Sequence, residues 1–397
     1  MKAAASPPTL VTLVLLAGLA TISLNMFLPS LANIAADFQA DYALVNLSIA
    51  GYLAVTAVLQ LVVGPLSDRY GRRPVMLVAL ALFVAASLGC TLAQDVHVFL
   101  AFRVLQGAVI AGWVISLAVV RDTVPAQKAA SLIGYLSMAM AVAPMLGPIL
   151  GGLLDAAFGW RASFVAFSGF GAALFFVAWF DLGETNQQRS ETFRQQLRGY
   201  PALFGAGRFW GYALAMAFSV SAFYAFLSGV PLVASGALAL PPERLGLYMG
   251  SISIGFFVGS FLSGRYAKRF RLTTMILSGR IVACLGLGIG LILVLAGVIS
   301  EPSFFGATLC VGLGNGLTVP SGNAGALSVK PELAGSASGL AGALMVGCGA
   351  VVTSITGLLV TEANAPTVLL AIMLLCSALG LLAVLWVKIL DARQPAG

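Results

Sequence analysis

Val62-Val63-Gly64-Pro65-Leu66-Ser67-Asp68-Arg69-Tyr70-Gly71-Arg72-Arg73-Pro74-Val75-Met76 sets four charged residues between two long apolar runs, residues 44–66 and 75–94. Each run is close to the roughly 20 residues a helix needs to cross a bilayer. Gly64 and Gly71 permit a tight turn and a close helix approach. The stretch therefore reads as two membrane helices joined by a charged turn. Outward from it, the same alternation recurs at about 10–31, 98–120, 129–154, 162–182, 209–231, 245–264, 273–298, 303–325, 336–361 and 366–388. Twelve spans use about 240 residues, so the chain of 397 closes with short joints and one longer polar segment, 183–208.

Composition excludes an ordinary soluble protein. Hydrophobic residues make up 60% of the chain and charged residues 9%, against roughly 25% charged in soluble domains. An aqueous surface could not hide that apolar excess, whereas lipid accepts it. Glycine, at 45 residues, suits close approach of membrane helices and favours a helical bundle over a barrel. The net charge of +7 does not indicate nucleic acid, because the basic residues are scattered between apolar runs rather than gathered on one face. All five cysteines lie inside those runs without metal-ligand or redox spacing. The first run extends to Leu28, too long for a secretory signal core, and stands as span 1.

Orientation follows from the basic joints. With the N-terminus cytoplasmic, seventeen Lys and Arg fall in cytoplasmic joints and only Arg161 and Arg244 in the opposite ones. Both termini and the 183–208 linker are then inside the cell. The two halves also repeat. Gly64–Tyr70 at the end of span 2 matches Gly264–Phe270 at the end of span 8, and Gly147 falls opposite Gly347, both at an offset of 200 residues. The expected organisation is an N-terminal six-helix bundle (1–182), a linker (183–208) and a C-terminal six-helix bundle (209–397). Parallel six-span halves are a transporter construction.

The turn Gly64–Pro74 resembles the signature of the major facilitator superfamily. That resemblance implies that Asp68 bridges to the start of a helix in the other half, here span 11 near Gly335 and Ser336, and helps to lock an inner gate with Gly64, Arg69, Gly71 and Arg72. The plainer reading is a topology-setting turn in which Asp68 is a solvated lone acid among arginines. In span 5, Ala143-Pro144-Met145-Leu146-Gly147-Pro148-Ile149-Leu150-Gly151-Gly152 is similar to the motif of the antiporter branches. Its prolines and glycines give a bent, closely packed helix, a hinge or a static kink. Together with Asn25–Leu31, Tyr52, Gln60, Arg103–Gly107, Arg121-Asp122 and Trp160–Phe164, these motifs resemble the bicyclomycin and chloramphenicol resistance branch. The resemblance implies proton-driven export of small drugs or metabolites by alternating access, with spans 1, 4, 7 and 10 lining a central cavity. An importer or uncoupled facilitator is the alternative in the same fold.

One departure bears on coupling. The branch that the chain resembles has, in many members, an acid in span 1 where this chain has Asn25. All fourteen acids fall at joints or span ends, so a proton carrier must be sought among Asp37, Asp41, Asp122, Asp155 and His97, because asparagine does not titrate. Arg103 lies inside span 4, where a charge is costly and faces the bundle interior or a watery cavity. It either holds an electron-rich substrate group, with Asn25 as a polar neighbour, or is a structural arginine. Arg280 in span 9 reads as a snorkelling or packing residue. Further candidate substrate contacts are Met26, Tyr52, Gln106, Trp113, Phe223, Tyr224 and Asn315, with Phe27, Tyr135, Met138, Phe226, Met249 and Asn323 beside them. One histidine, no carboxylate pair at membrane depth and no metal-ligand cluster argue against an enzyme. The expectation is a monomeric inner-membrane transporter with no cofactor, driven by the proton gradient.

Overall fold

The computed structural model describes residues 8–124, 132, 136, 144, 146–186, 203–266, 269–330 and 333–393. Among them, ten helices are long and apolar enough to cross a membrane. Spans 1 to 4 are Leu10–Asp37, Tyr42–Tyr70, Arg72–Leu92 and Val96–Val120, and span 6 is Arg161–Asp181. Spans 7, 8 and 9 are Gly207–Ser235, Glu243–Tyr266 and Leu272–Leu295, with Ala337–Leu359 and Ala365–Ala392 as spans 11 and 12. Span 5 is represented by Leu146–Phe158. Its expected stretch 129–154 falls largely on residues outside those described, Tyr135 and Met138 included, as do 187–202 of the linker. Span 10 is the helix Glu301–Ser328, 28 residues long and so about 42 Å, long enough to cross although glycine, Asn315, Thr318 and Ser321 dilute its hydropathy.

Contacts divide the chain into two compact units, Met1–Arg194 and Gln195–Gly397. Each has the same internal pairing scheme. In the first unit span 4 packs on spans 1, 2 and 3, and span 3 packs on span 6. In the second, span 10 packs on spans 7, 8 and 9, and span 9 packs on span 12. That shared scheme is the structural form of the offset repeat.

Two long spans are not continuous α-helices. Span 1 stops at Asn25, passes through a 3-10 turn at Leu28–Ser30 with Pro29 in it, and resumes as Leu31–Asp37. Proline has no amide hydrogen to donate, so the helix ladder breaks there at little cost. Span 4 tightens into a 3-10 turn at Gly107–Ile110 between Val96–Gln106 and Ala111–Thr123. Glycines let other spans close on these breaks. A Cβ at Gly147 would sit 3.1 Å from Asn25 Cβ, and one at Gly151 would overlap the Met26 carbonyl oxygen. In the second unit a Cβ at Gly349 of span 11 would overlap the ring of Tyr224 in span 7.

Backbone contact explains which of these glycines is replaceable. Gly151→Val puts a branched side chain into a main-chain oxygen that cannot move aside, and should cost about 3 kcal/mol or more. Nothing stands within 4 Å of a Cβ at Gly64, so the close approach expected there is absent among the described residues and Gly64→Ala should be tolerated. Thermal unfolding of the two variants in detergent checks the contrast; equal midpoints would refute it.

Candidate functional site

The broken middle of span 1 faces the tightened middle of span 4, and Arg103 lies between them. The side chain is fully buried. Its Nη1 donates to the Ser23 carbonyl at 3.4 Å and to Gln106 Oε1. Gln106 in turn donates through Nε2 to Ser87 Oγ at 2.6 Å, and Ser87 to the Phe83 carbonyl at 2.7 Å, so the chain of bonds runs from span 4 into span 3. The guanidinium carbon lies 4.1 Å from the centre of Phe27, 4.8 Å from Tyr52 and 5.8 Å from Phe164, on spans 1, 2 and 6. Tyr52 is fixed by its own hydroxyl, which lies 2.8 Å from Ser23 Oγ and donates to the Ala20 carbonyl at 3.0 Å.

No carboxylate among the described residues pairs with Arg103. Magnitudes show how the charge is tolerated. Placing an arginine at mid-membrane costs about 2.5–3.5 kcal/mol on insertion scales, while each desolvated cation–π contact returns about 0.5–2 kcal/mol. Three ring faces and the Gln106 bond are of the right size to offset that cost. Nε and Nη2 nevertheless have no hydrogen-bond partner.

Of the two readings of Arg103, this geometry matches the enclosed, structural one. It does not face a watery cavity with Asn25 as its neighbour; residues of its own unit enclose it, and none of its hydrogen bonds or ring contacts is to Asn25. Asn25 donates from Nδ2 to the Thr21 carbonyl at 2.7 Å, while its buried Oδ1 has no partner. Met26, Phe27, Tyr52, Gln106, Phe226 and Met249 are likewise buried. Trp113, Phe223, Tyr224 and Asn323 are half-buried, and Asn315 retains 4% exposure. The first unit thus gathers Asn25, Met26, Tyr52, Arg103 and Gln106 at one level. Phe223, Tyr224 and Asn315 belong to the second unit.

At the expected gate, Asp68 is no lone acid. Its Oδ1 lies 2.5 Å from Arg72 Nη1, and Arg72 Nε lies 3.0 Å from Asp122 Oδ2. Arg72 also donates to Ser67 Oγ at 2.6 Å and is buried, whereas Arg69 is exposed beside the Tyr70 ring. Gly71 has φ +104°, which only glycine adopts freely, and a Cβ there would overlap the Glu184 carboxylate. Glu184 accepts from the Arg72 and Arg73 amides at 2.9 and 3.3 Å. It thereby caps span 3, which has no side-chain cap and no acid in its first turn. Sequence reading placed Glu184 in a solvated linker; the uncapped start at Arg72-Arg73 was the signal that an acceptor must come from elsewhere. The matching Lys268, residues 331–332 and the side chains of 334–336 at the start of span 11 lie outside the described residues, as do Ala143 and Met145 of the span 5 motif. Pro148 is described and buried.

Of the other candidate acids Asp41 is exposed, while Asp37 and Asp155 are engaged. Asp37 accepts from Arg161 at 2.6 Å and from Trp160 Nε1 at 3.2 Å. Asp155 is buried and accepts from Asn33 Nδ2 at 2.8 Å.

Broken helices around an intramembrane charge, in two units with one pairing scheme, define a helical membrane transporter. Solved structures share the fold. A bacterial homologue of the human lysosomal transporter Spinster matches 98% of both chains with TM-score 0.75 at 17% identity. The xylose transporter XylE of E. coli matches 98% of this chain and 97% of its own with TM-score 0.72 at 13% identity. The Major Facilitator Superfamily profile matches residues 13–354, and the chain belongs to that family. Among its relatives, a chloramphenicol resistance protein of Pseudomonas aeruginosa is 30% identical over 93% of this chain and 88% of its own. Multidrug resistance protein D of Escherichia coli is 30% identical over 90% and 91%. A bicyclomycin resistance protein homologue of Haemophilus influenzae is 26% identical over 90% of each. The resemblance read from the motifs is thereby borne out, and the protein is a multi-pass membrane transporter, not an enzyme.

Arg103 has no carboxylate partner among the described residues and two of its nitrogens lack an acceptor, so exchanging it for an apolar side chain should separate its role in transport from its role in packing. Arg103→Met keeps the length and apolar contacts of the side chain. Burial without charge should hold or raise the thermal midpoint, while transport falls by at least about tenfold. A lowered midpoint with unchanged transport would make Arg103 purely structural.

Proposed function

We propose that this transporter exports small drugs or metabolites across the bacterial inner membrane by proton antiport, as a monomer with both termini cytoplasmic. The observation that carries the transport reading is the arginine enclosed at the break of span 1 with no carboxylate partner among the described residues, an intramembrane charge that a merely structural bundle does not need. Export of drugs is supported by the full-length kinship to proteins named for chloramphenicol, bicyclomycin and multidrug resistance. The candidate substrate contacts are Asn25, Met26 and Trp113 in the first unit and Phe223, Tyr224 and Asn315 in the second. Arg103 reaches a ligand only if Phe27, Tyr52 and Phe164 part. The Asp68–Arg72–Asp122 cluster, tied to Glu184, would stabilise the cytoplasmic side of the first unit in one state.

Coupling requires an acid that can change charge without breaking an ion pair. Asp37, Asp68 and Asp122 each face an arginine. Of the two candidate acids that face no arginine, Asp41 is exposed and Asp155 is buried with neutral Asn33 as its partner, so Asp155 is taken as the carrier in the first unit.

A susceptibility screen across drug classes in a pump-deficient bacterium tests the export reading. Expression should raise the tolerated concentration of at least one acceptor-bearing drug, chloramphenicol being the first to try; no gain in any class refutes it. Asp155→Asn should remove the pH dependence of transport while leaving drug binding intact, and a wild-type pH profile in that variant would place the carrier elsewhere. Asn25→Asp restores the acid at the span 1 break and should sharpen the pH response; a flat response would show that this position does not couple.

A further inference from the structure

The second unit holds a charge that the transport reading leaves unused. Arg280 of span 9 does not snorkel; it is fully buried among spans 9, 10 and 12. Glycines make its room, since a Cβ at Gly314 would lie 3.0 Å from its Nη2 and one at Gly380 3.2 Å from its Cδ. Nε donates to Thr318 Oγ1 at 3.0 Å and Nη2 to Asn315 Oδ1 at 2.8 Å. Thr318 accepts that bond because its own proton goes to the Gly314 carbonyl at 2.7 Å. Ser219 of span 7 donates to the same Asn315 Oδ1 at 2.6 Å.

A guanidinium only donates, so the Asn315 atom that faces it must be the oxygen. Two donors then occupy both lone pairs of that oxygen. The carboxamide N–H2 is turned away, and no described residue accepts from it. Arg280 Nη1 also has no partner, and no carboxylate among the described residues pairs with Arg280. The cluster therefore carries a full positive charge and surplus donors, and lacks acceptors.

We propose that Asn315 recognises a hydrogen-bond acceptor group on the transported molecule, a carbonyl, nitro or carboxylate oxygen, and that Arg280 and Ser219 are positioning residues that lock its amide as a donor. This rests on the export reading, which supplies the molecule, and it names the chemistry that span 10 selects. Arg280 acts through Asn315 because it is itself sealed; Asn315 keeps the small exposed fraction.

Asn315→Asp tests the assignment. Its carboxylate still accepts from Arg280 and Ser219, so the fold survives, but the outward donor becomes an acceptor. With chloramphenicol as probe, binding to purified protein is measured by intrinsic fluorescence for wild type, Asn315→Asp, Asn315→Ala and Arg280→Lys. Expected are a Kd raised about tenfold or more in both Asn315 variants, an undiminished thermal midpoint in Asn315→Asp, and a Kd within about threefold of wild type in Arg280→Lys, which also only donates. Equal Kd in wild type and Asn315→Asp overturns the donor assignment alone. A wild type that binds no acceptor-bearing drug overturns it together with the export reading. Should Asn315→Asp fail to accumulate, Asn315→Ala decides on the same Kd criterion.

Discussion

Lipid offers no hydrogen bonds, so each polar group in the interior of this chain must find its partner within the protein. Arginine makes the demand most severe, with five donors and a charge that persists at any usable pH. Among the described residues each unit buries one arginine completely, Arg103 in the first and Arg280 in the second, and arranges its neighbours around it. The two solutions differ. Arg103 is met mainly by aromatic faces and one glutamine, Arg280 by the oxygens of Asn315 and Thr318.

That constraint explains the irregular middles of the helices. Span 1 breaks where its Ser23 carbonyl is needed by Arg103 and its Phe27 ring covers the charge. Span 4 tightens at Gly107, directly after the Gln106 that receives Arg103. Gly147 and Gly151 of span 5 then pack backbone against the break and support it. In the second unit glycines also bring backbones together, as Gly312 and Gly316 do against span 8, and Gly314 and Gly380 make space for the Arg280 side chain.

The spans were legible in the sequence because bilayer thickness fixes helix length and charged joints punctuate it. Span 2, read as 44–66, is Tyr42–Tyr70, and span 9, read as 273–298, is Leu272–Leu295. Ends moved outward where polar last turns such as Ser67–Tyr70 continue the helix beyond the apolar run. The site was legible as an inventory and not as an arrangement. Arg103, Gln106 and Tyr52 could be picked out one by one, yet their enclosure depends on Phe27 and Phe164, which look like any lipid-facing phenylalanine in sequence. Glu184, Asp122 and Asn315 find their partners on other elements, at separations that no local spacing rule encodes. For Arg280 the sequence left snorkelling and packing open, because hydropathy cannot tell a snorkelling arginine from one locked between helices; the structure has the packed one.

A charge kept inside the first unit without a carboxylate, an acid kept beside a neutral asparagine, and a donor-rich cluster in the second unit are the features on which the proposed exchange of a proton against an electron-rich molecule rests. Uptake of labelled chloramphenicol into proteoliposomes under an imposed pH gradient tests that claim most directly. The account predicts accumulation above the external concentration that collapses when a protonophore dissipates the gradient. Equilibration at the same rate with and without the gradient would contradict it.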